Sequence, residues 1–274
     1  MTKQSLFTRT AARLGWTRSS YILLSAFTAV VLLILVVWWP LARDYLATAD
    51  PARPLWTQLD PLLIGLFAVM SLLIMARADL RADALIVFVG LAGGLVIESW
   101  GTQTHLWTYY TNERPPLWIV PAWPIASLAI DRLYRMLNRA LPASLPGLFP
   151  VLYWILFPAF YLLLLAFVRP TLDKSLTLAA LLLCALLVLT PADCRAATVT
   201  FLAGTGLGYF LELWGTTRAC WTYYTFETPS LFAVLAHGMA AAAFWRTALL
   251  FKYLLQWSTS PTTPSSSSTK TAPS

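Results

Sequence analysis

Apolar residues run along this chain in long unbroken stretches, set apart by short clusters of Arg, Lys, Asp and Glu. A helix rising 1.5 Å per residue needs about 20 residues to cross ~30 Å of hydrocarbon. The breaks between charges predict spans at residues 19–39, 60–76, 83–102, 116–137, 150–168, 175–190, 196–216 and 229–256. The second and sixth are the shortest, and a seven-span reading without the sixth is the alternative. The runs are continuous rather than alternating, which excludes a porin-like barrel. The expected class is all-α, a polytopic membrane bundle of eight transmembrane helices.

Composition agrees. Of 274 residues, 58% are hydrophobic and 11% charged, with mean hydropathy +0.67, whereas a soluble domain carries about 25% charged residues. With eight spans and an inside N-terminus, Lys and Arg divide 13 against 6 in favour of the side holding both termini. That excess points to cytoplasmic termini in an inner membrane of bacterial type, with the two loops that carry WTYY, at 107–110 and 221–224, facing outward. The net charge of +7 belongs to this inner flank. It leaves no nucleic-acid footprint, so the partner expected at this point is membrane lipid, and the oligomeric state stays open.

Residues 1–18 form a basic flank without acids, read as the inner edge of the first helix rather than a transit peptide. The Ala47–Ala49 triplet invites a signal-peptidase reading, but the apolar run before it is longer than an ordinary h-region, which favours an uncleaved anchor. The tail from 258 to 274 is rich in Ser, Thr and Pro and is expected to be disordered. Cys184, Cys194 and Cys220 show neither a disulfide framework nor metal-ligand spacing, and no cofactor is implied.

One phrase is written twice. ESWGTQTHLWTYY begins at Glu98 and ELWGTTRACWTYY at Glu212, with eight of thirteen positions identical at an offset of 114. The same offset aligns Asp79 with Asp193, Gly90 with Gly204, Gly94 with Gly208, Pro115 with Pro229 and Arg132 with Arg246. Spans two to four therefore correspond to spans six to eight, and span one has a partner in span five, although the loop at 41–59 breaks the register. Four spans per unit give both copies one orientation, so the repeats are parallel and related by an axis along the membrane normal. The expected organisation is a first four-helix repeat over 19–140 and a second over 141–257.

Each copy carries G-x3-G-x3-E, which puts Gly90, Gly94 and Glu98 on one helix face, and Gly204, Gly208 and Glu212 on another. Small residues let a neighbouring backbone approach closely, so both acids belong on the packed side. Glu98 lies roughly 22 Å along its helix from Asp83, in the outer half of the bilayer. A carboxylate there costs about 2.5–3.5 kcal/mol near a helix centre and reads as functional by default. Two readings stand open. The acids accept hydrogen bonds from the Trp and Thr of their own loops and fix the helix ends, or they form one polar site around the pseudo-axis.

Trp100, Trp107, Tyr109 and Tyr110, with Trp214, Trp221, Tyr223 and Tyr224, fall where an aromatic belt is expected. Their fixed spacing exceeds what a belt requires and predicts a short folded hairpin in each copy. Gly101 and Gly215 suit helix C-caps, and Pro115 and Pro229 suit helix restarts. The copies diverge next: Trp123 aligns with His237, and Pro124 with Gly238. His237 lies about 12 Å in from Pro229, level with Glu212. It reads either as a hydrogen-bonding core residue or as one part of an asymmetric site. Asp131 and Arg132 read as a charge pair at a helix end.

Buried carboxyls, a histidine and many aromatic faces suit carbocation chemistry. A buried glutamic acid can hold a proton at neutral pH, and aromatic faces stabilise the cation formed when it protonates an alkene. Glu98, Glu212 and His237 are the candidate catalytic groups, and the paired tryptophans and tyrosines with Trp123 the substrate-binding ones. The order E-x2-G (Glu98, Gly101), an aromatic loop (Tyr109, Tyr110) and P-x-W-P (Pro121, Trp123, Pro124) resembles the carotenoid-biosynthesis integral membrane family. That family includes bacterioruberin-type carotenoid hydratases and is grouped loosely with membrane lycopene cyclases. The resemblance spans Glu98 to Pro124; the chain has THLWTYY where the family carries Gly-Pro-Phe-Gly before the tyrosine. The acid chemistry suits hydration, cyclisation or isomerisation of a membrane isoprenoid, and the resemblance implies polyprenoid chemistry, so an isoprenoid joins membrane lipid as an expected partner. A small proton-linked transporter and a non-catalytic scaffold remain the alternatives. No Lys lies mid-span for a retinal Schiff base, and there is no P-loop, zincin helix or Gly-x-Ser-x-Gly elbow.

Overall fold

Aspartates open three of the apolar helices. Asp60, Asp79 and Asp193 each accept backbone N–H groups of the following first turn, at 3.0–3.4 Å, satisfying donors that a helix start leaves unpaired. The structure, a computed structural model, describes residues 15–54, 57–142 and 147–259. Residues 1–14 of the basic flank and 260–274 of the Ser/Thr/Pro tail lie outside them. The described helices are α1 (Arg18–Val37), α2 (Trp39–Ala47), α3 (Pro61–Met75), α4 (Leu80–Gln103), α5 (Ala122–Ala140), α6 (Leu148–Phe167), α7 (Ser175–Leu189), α8 (Cys194–Thr217) and α9 (Leu231–Thr259). The chain is a helical bundle whose α1, α4, α6, α8 and α9 are long and apolar enough to cross a membrane. Helices α3 and α7 are apolar but only 15 residues each. Helix α5, with Asp131, Arg132, Arg135 and Arg139 in its second half, is not among the five.

Four helices form a central ring, with α4 on α5, α5 on α8, α8 on α9 and α9 back on α4. Helices α1 and α3 flank the ring on one side, α6 and α7 on the other. Helix α8 is the most enclosed of the candidate spans. The glycine stripe explains how the ring closes. A methyl on Gly204 would lie 2.7 Å from the backbone oxygen of His237, and one on Gly90 3.0 Å from the Cα of Pro124. Helices α8 and α9, and α4 and α5, therefore touch backbone to backbone.

Several sequence expectations need correction. Gly101 and Gly215 do not cap their helices, which run on to Gln103 and Thr217. Pro115 does not restart a helix: the chain turns as far as Pro121, the N-cap of α5, and Pro124 sits in that helix's first turn, where its missing N–H costs no intrahelical bond. Nor do the two loops fold as separate hairpins. Each contributes one short strand, β1 (Trp107–Tyr109) and β2 (Trp221–Tyr223), and the two pair antiparallel with each other.

Arg132 is no helix-end residue either. It is buried, with Nη2 2.6 Å from Asp83 Oδ2, Nη1 2.5 Å from Asp131 Oδ2 and Nε donating to the Ala76 carbonyl at 3.1 Å. At the equivalent point Arg246 donates to the carbonyl of Thr190, while the position matching Asp83 holds Ala197.

Candidate functional site

The strand pair builds the site. Register pairs Trp107 with Tyr223, Thr108 with Thr222 and Tyr109 with Trp221. The Tyr110 N–H donates to the Cys220 carbonyl at 3.2 Å, and the Tyr224 N–H to the Leu106 carbonyl at 3.1 Å. The pairing is thus self-complementary about Thr108 and Thr222, and alternate side chains turn down onto the helix ends.

Glu98 and Glu212 receive those side chains. For Glu98, Trp107 Nε1 donates to Oε2 at 3.1 Å and the Tyr109 hydroxyl to Oε1 at 2.9 Å. For Glu212, Trp221 Nε1 donates to Oε2 at 2.9 Å and the Tyr223 hydroxyl to Oε1 at 2.9 Å. A third partner comes from the next helix. Trp123 Nε1 donates to Glu98 Oε1 at 3.1 Å, and His237 Nε2 lies 3.0 Å from Glu212 Oε1. Both carboxyls are buried. The threonines expected to reach them do not: Thr102 and Thr216 donate instead to the backbone carbonyls of Glu98 and Glu212, each at 2.6 Å.

Glycines make the space. A Cβ on Gly101 would lie 1.8 Å from the Trp107 ring, and one on Gly215 1.9 Å from that of Trp221. A Cβ on Gly94 would meet Trp123 at 2.3 Å, and one on Gly208 would meet His237 at 2.4 Å. The glycines thus seat the rings that hold the acids.

Hydrogen-bond partners of one carboxyl lie against partners of the other. Ring centroids are 6.0 Å apart for Trp107 and Tyr223, 5.9 Å for Tyr109 and Trp221, and 5.9 Å for the stacked pair Trp123 and His237. Six rings therefore enclose two acids in one cluster. Burial, and then the neighbouring carboxyls, push the Tyr109 and Tyr223 phenols well above the ordinary tyrosine value, so both stay protonated donors.

Glu98, Glu212 and His237 line a cavity of about 1440 Å³, together with Trp100, Trp107, Tyr109, Trp123, Trp214, Trp221 and Tyr223. The rest of its wall is overwhelmingly apolar, from Phe27 and Val30 on α1 to Phe251 on α9, and it includes no Lys or Arg among the described residues. Tyr110 and Tyr224 are not part of the wall; their hydroxyls donate to the carbonyls ending α1 and α6, Val37 and Phe167. Trp100 and Trp214 hold neighbours in place while lining the cavity, donating to Thr177 Oγ1 at 3.2 Å and Asp60 Oδ2 at 3.1 Å.

Three contributors lay outside the sequence reading. Asp60 also takes Arg218 Nε at 2.9 Å, joining the start of α3 to the second loop. Trp38 packs 5.0 Å from Trp214 and 5.5 Å from Trp118, and Trp118 lies 5.4 Å from Tyr109. None of the three belongs to the repeated phrase, so spacing carried no signal for them. No protein family, curated protein or solved structure matches this chain.

Proposed function

We propose that this chain is an eight-span protein of the bacterial inner membrane, two parallel four-helix repeats with cytoplasmic termini, that catalyses acid-promoted hydration, cyclisation or isomerisation of a membrane isoprenoid. The observation that carries the reading is one large apolar cavity whose only carboxyls, among the described residues, are two buried glutamates set in aromatic rings. The matched contacts at an offset of 114 support the duplication. The cavity wall, without cations, suits an uncharged hydrocarbon rather than an anionic headgroup. The short resemblance between Glu98 and Pro124 points to the same substrate class.

In this chemistry a glutamic acid O–H breaks, its bonding pair stays on oxygen, and the alkene π pair takes the proton as a new C–H bond. Ring faces of the tryptophans and tyrosines stabilise the resulting cation. The cation then loses a proton, giving an isomer or a cyclised product, or it adds water, which gives one up. Either way one proton returns to the acid.

A second reading has its own observation. Both carboxyls already accept hydrogen bonds from the protein, which suits a structural lock. Lipid extraction and mass spectrometry of cells supplied with a polyprenoid pool separates the two. An isoprenoid shifted by one water, or an isomer of altered retention, is expected with wild type and absent with Glu212→Gln. Identical profiles at equal protein levels would reject the enzyme. Proton-coupled flux in liposomes, lost in the same variant, would then identify a transporter.

A further inference from the structure

The two carboxyl sites match atom for atom except at one partner. An indole N–H can only donate, so Trp123, like Trp107, offers Glu98 no place to put a proton. An imidazole nitrogen donates or accepts according to its protonation. His237 Nε2 lies 3.0 Å from Glu212 Oε1, against 3.1 Å for Trp123 and Glu98, and its side chain lines the cavity at 18% exposure. Its ring is seated as Trp123 is, on the matching glycine, and the two rings stack.

We infer that the halves divide the work: Glu212 and His237 form the proton-transfer pair, while Glu98, held by Trp107, Tyr109 and Trp123, is a positioning residue that fixes the face on which His237 stacks. This rests on the acid chemistry proposed above. A proton leaving Glu212 for the substrate leaves its bonding pair on oxygen. The proton released by the substrate, or by added water, goes to the Nε2 lone pair of neutral His237 and makes an imidazolium. Its Nε2–H proton then passes to Oε1, that N–H bonding pair stays on nitrogen as the lone pair, and the two groups end as they began.

Several ionisable groups on the elements packed against α9 are already engaged. On α8 the neighbour is Glu212 itself, and from the second loop Tyr223 donates to the same carboxyl. On α4, Glu98 sits behind Trp123, and Tyr109 is committed to Glu98. Toward the other end of α5, Asp131, Arg132 and Arg135 close on one another and on Asp83. On α6, the Tyr153 hydroxyl donates to the carbonyls of Leu187 and Val188.

Infrared difference spectroscopy of the purified full chain in liposomes, stepped between mildly acidic and mildly alkaline buffer, reads the proton without any substrate. Wild type and Glu98→Gln should both show the C=O stretch of a buried carboxylic acid appearing and disappearing. Glu212→Gln and His237→Trp, which gives the second half the first half's partner, should lose that signal. Thermal midpoints report whether each variant folds. If His237→Trp does not, His237→Gln serves, because an amide can donate to Oε1 but cannot carry the proton, and its signal should also be lost. A band missing from wild type, kept in Glu212→Gln while lost in Glu98→Gln, or kept in the folded His237 variants would overturn the division. Unchanged lipids with the band as expected would reject the isoprenoid reaction and leave the pair standing; altered lipids without the band would reject the pair alone.

Discussion

A methyl group at Gly215 would lie 1.9 Å from the Trp221 ring, so Gly215→Ala displaces the indole that donates to Glu212. The expected cost is about 1–3 kcal/mol of overpacking, read as a lower thermal midpoint in detergent, and Gly101→Ala should behave alike through Trp107. Buried phenols give a second prediction. Because folding raises the Tyr109 and Tyr223 values, their contribution is fully present below the ordinary tyrosine value of about 10 and is lost as pH rises above it, where unfolded phenols ionise first. Alkaline unfolding should therefore begin near there and be blunted in Tyr223→Phe. Arg132 is a third case. Arg132→Met strands Asp83 in the bundle at a cost of about 3–5 kcal/mol, and Asp83→Ala in the same chain should recover part of it. At this scale the glutamates, their indoles and His237 were legible from spacing. The donating tyrosines were not, because a helical threonine looks close enough until its hydroxyl is seen to bond the carbonyl one turn back.

Helices were legible from the apolar runs, and their packed faces from G-x3-G, because both signals are periodic within one element. Strands of three residues have no such signal, and pairing between segments 114 residues apart has none at all. For the same reason Gly101 and Gly215 read as caps: a glycine near the end of an apolar run looks like a stop until the ring occupying its space is known. The pairing makes its own prediction. Opposed residues in a hydrogen-bonded antiparallel pair have Cα atoms about 5.5 Å apart, within reach of a disulfide. With Cys184, Cys194 and Cys220 replaced, Thr108→Cys and Thr222→Cys should crosslink on oxidation. With a protease site introduced between α5 and α6, the two fragments should then stay joined on a non-reducing gel.

Across the whole molecule the offset of 114 holds from Asp79 to Arg246, yet Tyr110 and Tyr224 brace α1 and α6 at Val37 and Phe167, which are 130 apart. The loop leading from α1 to α3 is therefore longer than its counterpart, and it houses α2, which the apolar pattern did not reveal. The proposed orientation is checked by labelling with a membrane-impermeant thiol reagent. Asn112→Cys and Glu227→Cys, both at exposed loop positions, should react from the outside of intact cells, and Arg139→Cys only after lysis. The self-complementary strand pair has one more consequence, for the order of synthesis. The ribosome delivers β1 long before β2, so the first half enters the bilayer with its strand edge bare and must wait for Tyr224 to emerge. A nascent chain stalled before that point has one ready substitute, the same strand of another stalled chain, with Thr108 facing Thr108.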